Sequence, residues 1–199
     1  MFLWIPQLVL SAITVAKPAC KCTYGQSCWP SDDAFTQLQT QLSAHLIYPF
    51  PPEAACYPNM NVTGPSCDEV KAQTANGTWR ADQPGSMQAP NWEEYIWPNG
   101  TIDVCYLNTT LGQPCSQGSV PPVGVVAHSA SDIKSAVRFA AEHNLRLAIK
   151  STGHDFSGRS TARGGFLIWT HFMKNITFDE SASEWNTSHL DFSLTNIFA

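Results

Sequence analysis

Between Val123 and Thr170 the spacing of apolar residues switches from a strand pattern to a helical one and back, and no other stretch restricts the fold as tightly. "VGVVAH" (123–128) reads as a short buried strand. "SASD" (129–132) follows as a capping box, with Ser129 as N-cap and Asp132 facing back to it. Ile133, Ala136, Val137, Ala140 and Ala141 then recur at helical spacing and give one apolar face. Asn144 suits the left-handed position that ends a helix. "LRLAIK" (145–150) is a second strand and "GFLIWT" (165–170) a third. The short turn from helix to strand implies a right-handed crossover to a parallel neighbour. Residues 121–178 are therefore expected to form a compact βαββ unit, and the chain an α+β protein.

Residues 17–120 have another character, with eleven of the 14 Pro and all 7 Cys. One helix is expected there, over "SDDAFTQLQTQLSAHL", with Ser31 as N-cap and Phe35, Leu38, Leu42 and Leu46 on one face. "IYPFPPEAACYP" cannot continue it, because each Pro removes a donor and clashes with the preceding turn, so an extended arm pinned by disulfides follows. Cys105 and Cys115 are close enough to staple one loop; the other pairings stay open. Seven is odd, so one thiol is free or its partner lies outside the chain.

The first sixteen residues are uncharged and end in small residues, with Thr14 and Ala16 at the −3 and −1 positions of a signal-peptidase site. They read as a cleaved signal peptide, against the alternative of a short buried element, and are short for a membrane span. Sequons at Asn61, Asn76, Asn99, Asn108, Asn175 and Asn186 exceed chance, and with the cysteines they point to an oxidising compartment and a glycosylated surface. A net charge of −5, with 11 Lys and Arg in no cluster, argues against nucleic acid and against an anionic membrane surface.

The loop "STGHDFSGRS" (151–160) leaves the second strand where α/β units bind ligands, beyond the carboxyl ends of parallel strands. Gly153 and Gly158 permit positive φ and close backbone approach. Successive main-chain N–H groups in such a turn make an anion nest. Ser151, Thr152, Ser157 and Ser160 add hydroxyls, and Arg159 a fixed charge that can meet a phosphate. Two readings stand, a polar structural loop and a phosphate-binding loop, with a pyrophosphate as the economical ligand of the second. There is no GxxxxGK[ST], no GxGxxG after a strand and no G-x-S-x-G elbow. For a metal, Asp155 and His171 are at hand, but their spacing fits no ligand pattern, and none is assigned. Trp29, Trp79, Trp92 and Trp97 read as packing. His45, His128, His143 and His189 read as surface or satisfied core groups, and the adjacent Glu93 and Glu94 cannot form a facing carboxylate pair.

Over residues 20–178 the ordered segments "CTYGQSCWPSDDAFTQLQTQLSAHLI", "PPEAACY", "CSQGSVPP", "DIKSAVRFAAEHNLRLAIKSTGHDFSGRS" and "LIWTHFMKNITF" resemble the secreted fungal FAD-linked oxidoreductases. These are similar to berberine-bridge-type enzymes, with a flavin-binding domain of the vanillyl-alcohol-oxidase and cresol-methylhydroxylase class. The resemblance implies that the loop wraps the FAD pyrophosphate. It assigns Ser151, Thr152, Gly153, His154, Asp155, Gly158 and Arg159 to the cofactor, with His154 bonded covalently to the 8α-methyl carbon of the flavin; by its residue type Asp155 reads chiefly as a side chain that accepts backbone amides and shapes the loop. It also implies oxidation of an alcohol or carbohydrate-like small molecule with O₂ as acceptor.

The family pattern stops near Phe178, before the Gly-rich stretch, substrate domain and C-terminal segment that the resemblance leads one to expect, and residues 179–199 diverge. The expectation is a truncated product, or a gene model read into non-coding sequence, with an incomplete flavin domain and a three-stranded sheet open at its edge. No catalytic base is assigned. The alternative function is a catalytically inactive secreted glycoprotein that keeps the loop as inherited architecture.

Overall fold

The computed structural model describes residues 20–175. The expected signal peptide, the divergent tail, Asn186 and His189 lie outside the described residues.

The βαββ unit is present, as β4 (Val123–Val126), α4 (Ala130–Glu142), β5 (Leu147–Lys150) and β6 (Phe166–Trp169). Ser129 and Asp132 form the capping box, and Asn144 takes φ 53° where the chain turns into β5. The helix turns a slightly different face inward than its spacing suggests. Asp132, Ala136, Phe139 and Ala140 are buried, whereas Val137 and Ala141 are exposed. The large ring decides it: Phe139 lies 5.2 Å from Phe35 and 5.7 Å from Phe166 by ring centroid, each such pair contributing about 1 kcal/mol beyond area burial.

The strand order departs from expectation. β6 is inserted between β4 and β5 and runs parallel to both, so β5 is not the direct neighbour of β4. All four β6 residues are buried, as a central strand requires, while Ile149 of β5 is 54% exposed, as an edge strand tolerates. Among the described residues the sheet also has four strands, not three. β1 (Leu46–Ile47) pairs antiparallel with β4 and covers its edge.

β1 exists because the first helix is shorter than its apolar spacing predicts. α1 spans Asp32–Gln39, capped by Ser31, whose hydroxyl accepts from the Ala34 amide at 3.4 Å. The Gln39 side chain then donates to the Ala44 carbonyl at 2.9 Å and accepts from the Leu46 amide at 2.7 Å, which folds the chain back and turns Leu46 into a strand residue. Phe35 and Leu38 join Val123, Val125, Phe166 and Ile168 in the core beneath α4. The other sheet face carries Val126, Leu167, Trp169 and Ala148.

The Pro-rich region holds more helix than its sequence suggests. α2 (Cys67–Gln73) and α3 (Gly77–Ala81) are capped by the side chains of Ser66 and Asn76, and Pro52–Cys56 and Pro90–Trp92 form 3₁₀ turns. β2 (Tyr95–Ile96) and β3 (Ile102–Asp103) make a hairpin. Cys105 bonds Cys115 as the spacing suggests, Cys22 bonds Cys28, and Cys56 bonds Cys67; Cys20 is the free thiol among the described residues. Each bridge closes a short loop and stabilises by about 3 kcal/mol or less in the chain-entropy account.

Candidate cofactor-binding site

Topology dictates a long connection after β5. Because β5 and β6 are parallel, the chain must return the full length of the sheet, and residues 151–165 make that journey without a helix. The loop therefore leaves from the carboxyl end of the strands.

Its first three carbonyls are occupied. Ser151 O accepts from Trp169 Nε1 at 3.2 Å, Thr152 O from Gln88 Nε2 at 3.3 Å, and Gly153 O from the Gln88 amide at 3.1 Å. In a trans peptide the C=O and the next N–H point in opposite directions. The amides of Thr152, Gly153 and His154 consequently face away from Trp169 and Gln88. Among the described residues, the amides of 152–156 donate to no protein acceptor. Such a run of free main-chain donors fits a phosphate. His154 beside them is exposed.

The loop is then closed by Asp155. Its carboxylate accepts from the Ser157 amide at 3.3 Å, from the Arg159 amide, and from Arg159 Nη2 at 2.9 Å. These bonds, those of the Arg159 side chain first, hold the Asp155 carboxyl below the usual range. Asp155 is thus a loop-shaping residue, and Arg159 leans on it while its side chain stays 82% exposed.

Gly153 and Gly158 do adopt positive φ, 86° and 70°, but the side on which a Cβ would sit is filled by protein. At Gly153 a Cβ would lie 3.2 Å from Lys150 Cε and 3.3 Å from Ser86 O. At Gly158 it would lie 2.5 Å from the Trp92 ring. The close backbone approach expected of these glycines is made to residues 86–92; a ligand is left the amide side.

That supporting segment carries buried charge which the sequence did not signal. Arg80, 2% exposed, donates to Met87 O at 2.6 Å, to Thr74 O at 3.1 Å and to Glu93 Oε1. Glu93 Oε1 also accepts from the Met87 amide at 2.6 Å. Burial pushes the Glu93 carboxyl up to about 7 against the pull of the Arg80 guanidinium, and burial raises Glu53 beside it as well. Lys150 points inward from β5, 2% exposed, and its Nζ donates to Gln83 O at 2.5 Å and to Pro84 O at 3.2 Å. Burial pulls this ammonium down to about 7. His171 is also buried, with Nε2 at 2.7 Å from Asp82 Oδ1. Asp155 and His171 are thus committed to different partners, and no metal-ligating group of three occurs among the described residues.

Lys150 was readable in one respect. Strand alternation puts it on the same inward face as Ala148, an anomaly that demands buried acceptors. Arg80 and Glu93 left no such trace, because their partners come together only in the tertiary structure.

Residues 121–185 match the FAD binding domain family. An uncharacterized FAD-linked oxidoreductase of Arthroderma benhamiae is 43% identical over 165 residues, 82% of this chain and 27% of that protein. Over those residues the chain is similar to a fungal FAD-linked oxidoreductase. FAD-linked oxidoreductase penH of Penicillium thymicola is 35% identical over 85% of this chain and 29% of its own length. The VAO-type flavoprotein MtVAO615 of Myceliophthora thermophila C1 superposes with a TM-score of 0.66 at 31% identity, covering 79% of this chain and 28% of that one. The chain thus spans between a quarter and a third of the length of these relatives. Its architecture is that of the VAO-type flavoproteins over the shared region, in keeping with part of a cresol-methylhydroxylase-type FAD-binding domain.

Proposed function

We propose that this chain supplies the cofactor-anchoring region of a secreted, glycosylated, berberine-bridge-type FAD-dependent oxidoreductase. Ser151, Thr152, Gly153, Gly158 and Arg159 would hold the FAD pyrophosphate, with Asp155 shaping the turn, and His154 would tether the flavin at its 8α-methyl carbon. The observation that carries this reading is the run of free amides at 152–156 beside an exposed imidazole, at the carboxyl end of parallel strands. The three disulfides support an oxidising compartment. Bound FAD would supply hydride-accepting chemistry for an alcohol or carbohydrate-like small molecule, with O₂ as final acceptor. The loop residues bind, orient and tether; none of them is placed as the base that takes the substrate proton.

The test is acid precipitation of the full-length protein followed by flavin fluorescence of its peptides. The expected result is acid-stable flavin on the peptide holding His154, and its loss in His154→Ala with FAD still bound reversibly. Acid-stable flavin that survives His154→Ala would move the tether elsewhere. A wild-type protein that releases all its flavin would remove the covalent part of the proposal.

A further inference from the structure

Residues 80–93 form a strap under the loop, and its fastenings are unusually dense for a segment with so little regular structure. Asp82 is held by His171 at the end of β6, and the carbonyls of Gln83 and Pro84 by Lys150 at the end of β5. Ser86 and Met87 are 0% and 1% exposed and lie directly against Gly153. Met87 is gripped at both its carbonyl and its amide by the Arg80–Glu93 pair. Gly85 sits so close to the Phe50 carbonyl that a Cβ would come within 1.9 Å, so the strap packs tightly against Phe50 at this point. Buried polar groups held in this way favour one arrangement of the strap.

The consequence falls on two peptide units. Gln88 donates its main-chain N–H to Gly153 O and its side-chain Nε2 to Thr152 O. The same Nε2 donates to Gly77 O at 2.8 Å, which anchors the side chain to the start of α3. With the carbonyls of 152 and 153 turned toward the strap, the amides of Gly153 and His154 must turn away from it, since no cis peptide occurs among the described residues. Trp92 beneath Gly158 braces the far end of the turn.

We infer that Gln88, with Trp92 bracing the far end of the turn under Gly158, is a positioning residue that turns the 152–154 peptide units so that their amides face the cofactor and His154 is presented for flavin attachment. This rests on the assignment of His154 as the tether. Attachment forms a bond between an imidazole nitrogen and the 8α carbon. One proton leaves the imidazole and one leaves the methyl group, and the two electrons released pass through the flavin ring to O₂. None of that chemistry needs the strap. What the strap controls is how often the imidazole and the amide nest hold the reactive arrangement together, and a misplacement of about 1 Å is enough to cost orders of magnitude in rate.

The experiment uses the full-length protein produced without flavin and then incubated with FAD. Acid-stable flavin is followed against time, alongside total bound flavin and the thermal midpoint. Gln88→Ala and Trp92→Ala are each expected to slow attachment about tenfold. Total FAD bound at saturation should stay the same, and the midpoint should move by less than about 4 °C. Asn91→Ala, an exposed strap residue, should behave as wild type. Attachment at the wild-type rate in both variants would overturn the inference, and so would a slowing that only tracks a fall in the midpoint. A wild-type protein that never acquires acid-stable flavin would sink the His154 assignment itself, a different result, visible before any variant is compared.

Discussion

Arg80→Ala should destabilise the protein by about 3–5 kcal/mol at neutral pH, the range expected when one partner is removed from a buried ion pair. The guanidinium donates to Met87 O, Thr74 O, the Thr74 hydroxyl and Glu93, and its Nη1 lies 3.8 Å from Glu53 Oε1. Alanine leaves two buried carboxyls without their guanidinium partner and takes a donor from two carbonyls, Met87 O and Thr74 O. The loss should depend on pH in a definite direction. The Glu93 carboxyl already rises from 4.5 to about 7 on folding, so the native state binds this proton more tightly than the unfolded chain does. Its contribution is therefore fully present below about 4.5 and fades as pH climbs through 7. Without Arg80 both carboxyls favour protonation still more, so the variant should recover part of its deficit at pH 5 and fall furthest behind at pH 8. Urea midpoints of wild type and variant at those two values provide the measurement. An equal deficit at both would show that the carboxyls do not sense the guanidinium.

How much of this was legible follows the range of the interactions concerned. The capping box at Ser129, the αL turn at Asn144, the Cys105–Cys115 staple and the loop around His154 all depend on residues near one another in sequence, and each is where local chemistry puts it. Ser66 with Glu69 three residues on carried an equally local signal for α2, which the density of Pro and Cys nearby obscured. Other features were beyond local reading. Leu46 falls in helical register with Phe35 and Leu38, and only the bonds made by Gln39 and the vacant edge of β4 turn it into a strand residue. The insertion of β6 between β4 and β5 is a choice between sheet orders that periodicity cannot rank. At the site, Gly153 and Gly158 were recognised as special, but the body they approach is Ser86–Trp92, more than sixty residues earlier in the chain. Glu93 looked inert beside Glu94 because its importance comes wholly from Arg80 and the Met87 amide.

Asp132 should prove the other large single contributor, through hydrogen bonds and not through an ion pair. It is 1% exposed and ends the first turn of α4, where its carboxylate accepts from the amides of Ser129 at 2.9 Å, His128 at 3.1 Å and Ser43 at 2.8 Å. The hydroxyls of Ser43 and Ser129 add bonds of 2.7 and 2.8 Å. It therefore serves two purposes at once, closing the capping box and tying the turn between α1 and β1 to the start of α4. Burial alone would raise its carboxyl, but the Ser43 amide and hydroxyl, the Ser129 hydroxyl and the His128 amide outweigh it and hold the group at about 2. Asp132→Ala is expected to cost about 2–4 kcal/mol, since several donors lose their acceptor together. The sign of the pH dependence is opposite to that of Glu93. With a folded-state value below the ordinary 3.8, Asp132 contributes fully above about 4 and loses its contribution as pH falls toward 2. Asp132→Asn keeps the size and removes the titration, so the gap between wild type and this variant should be wide at pH 6 and narrow at pH 2.5. A gap of constant width across that interval would mean that the five bonds do not favour the ionised carboxylate over an amide, and that the cap holds α4 to the α1–β1 turn by shape alone.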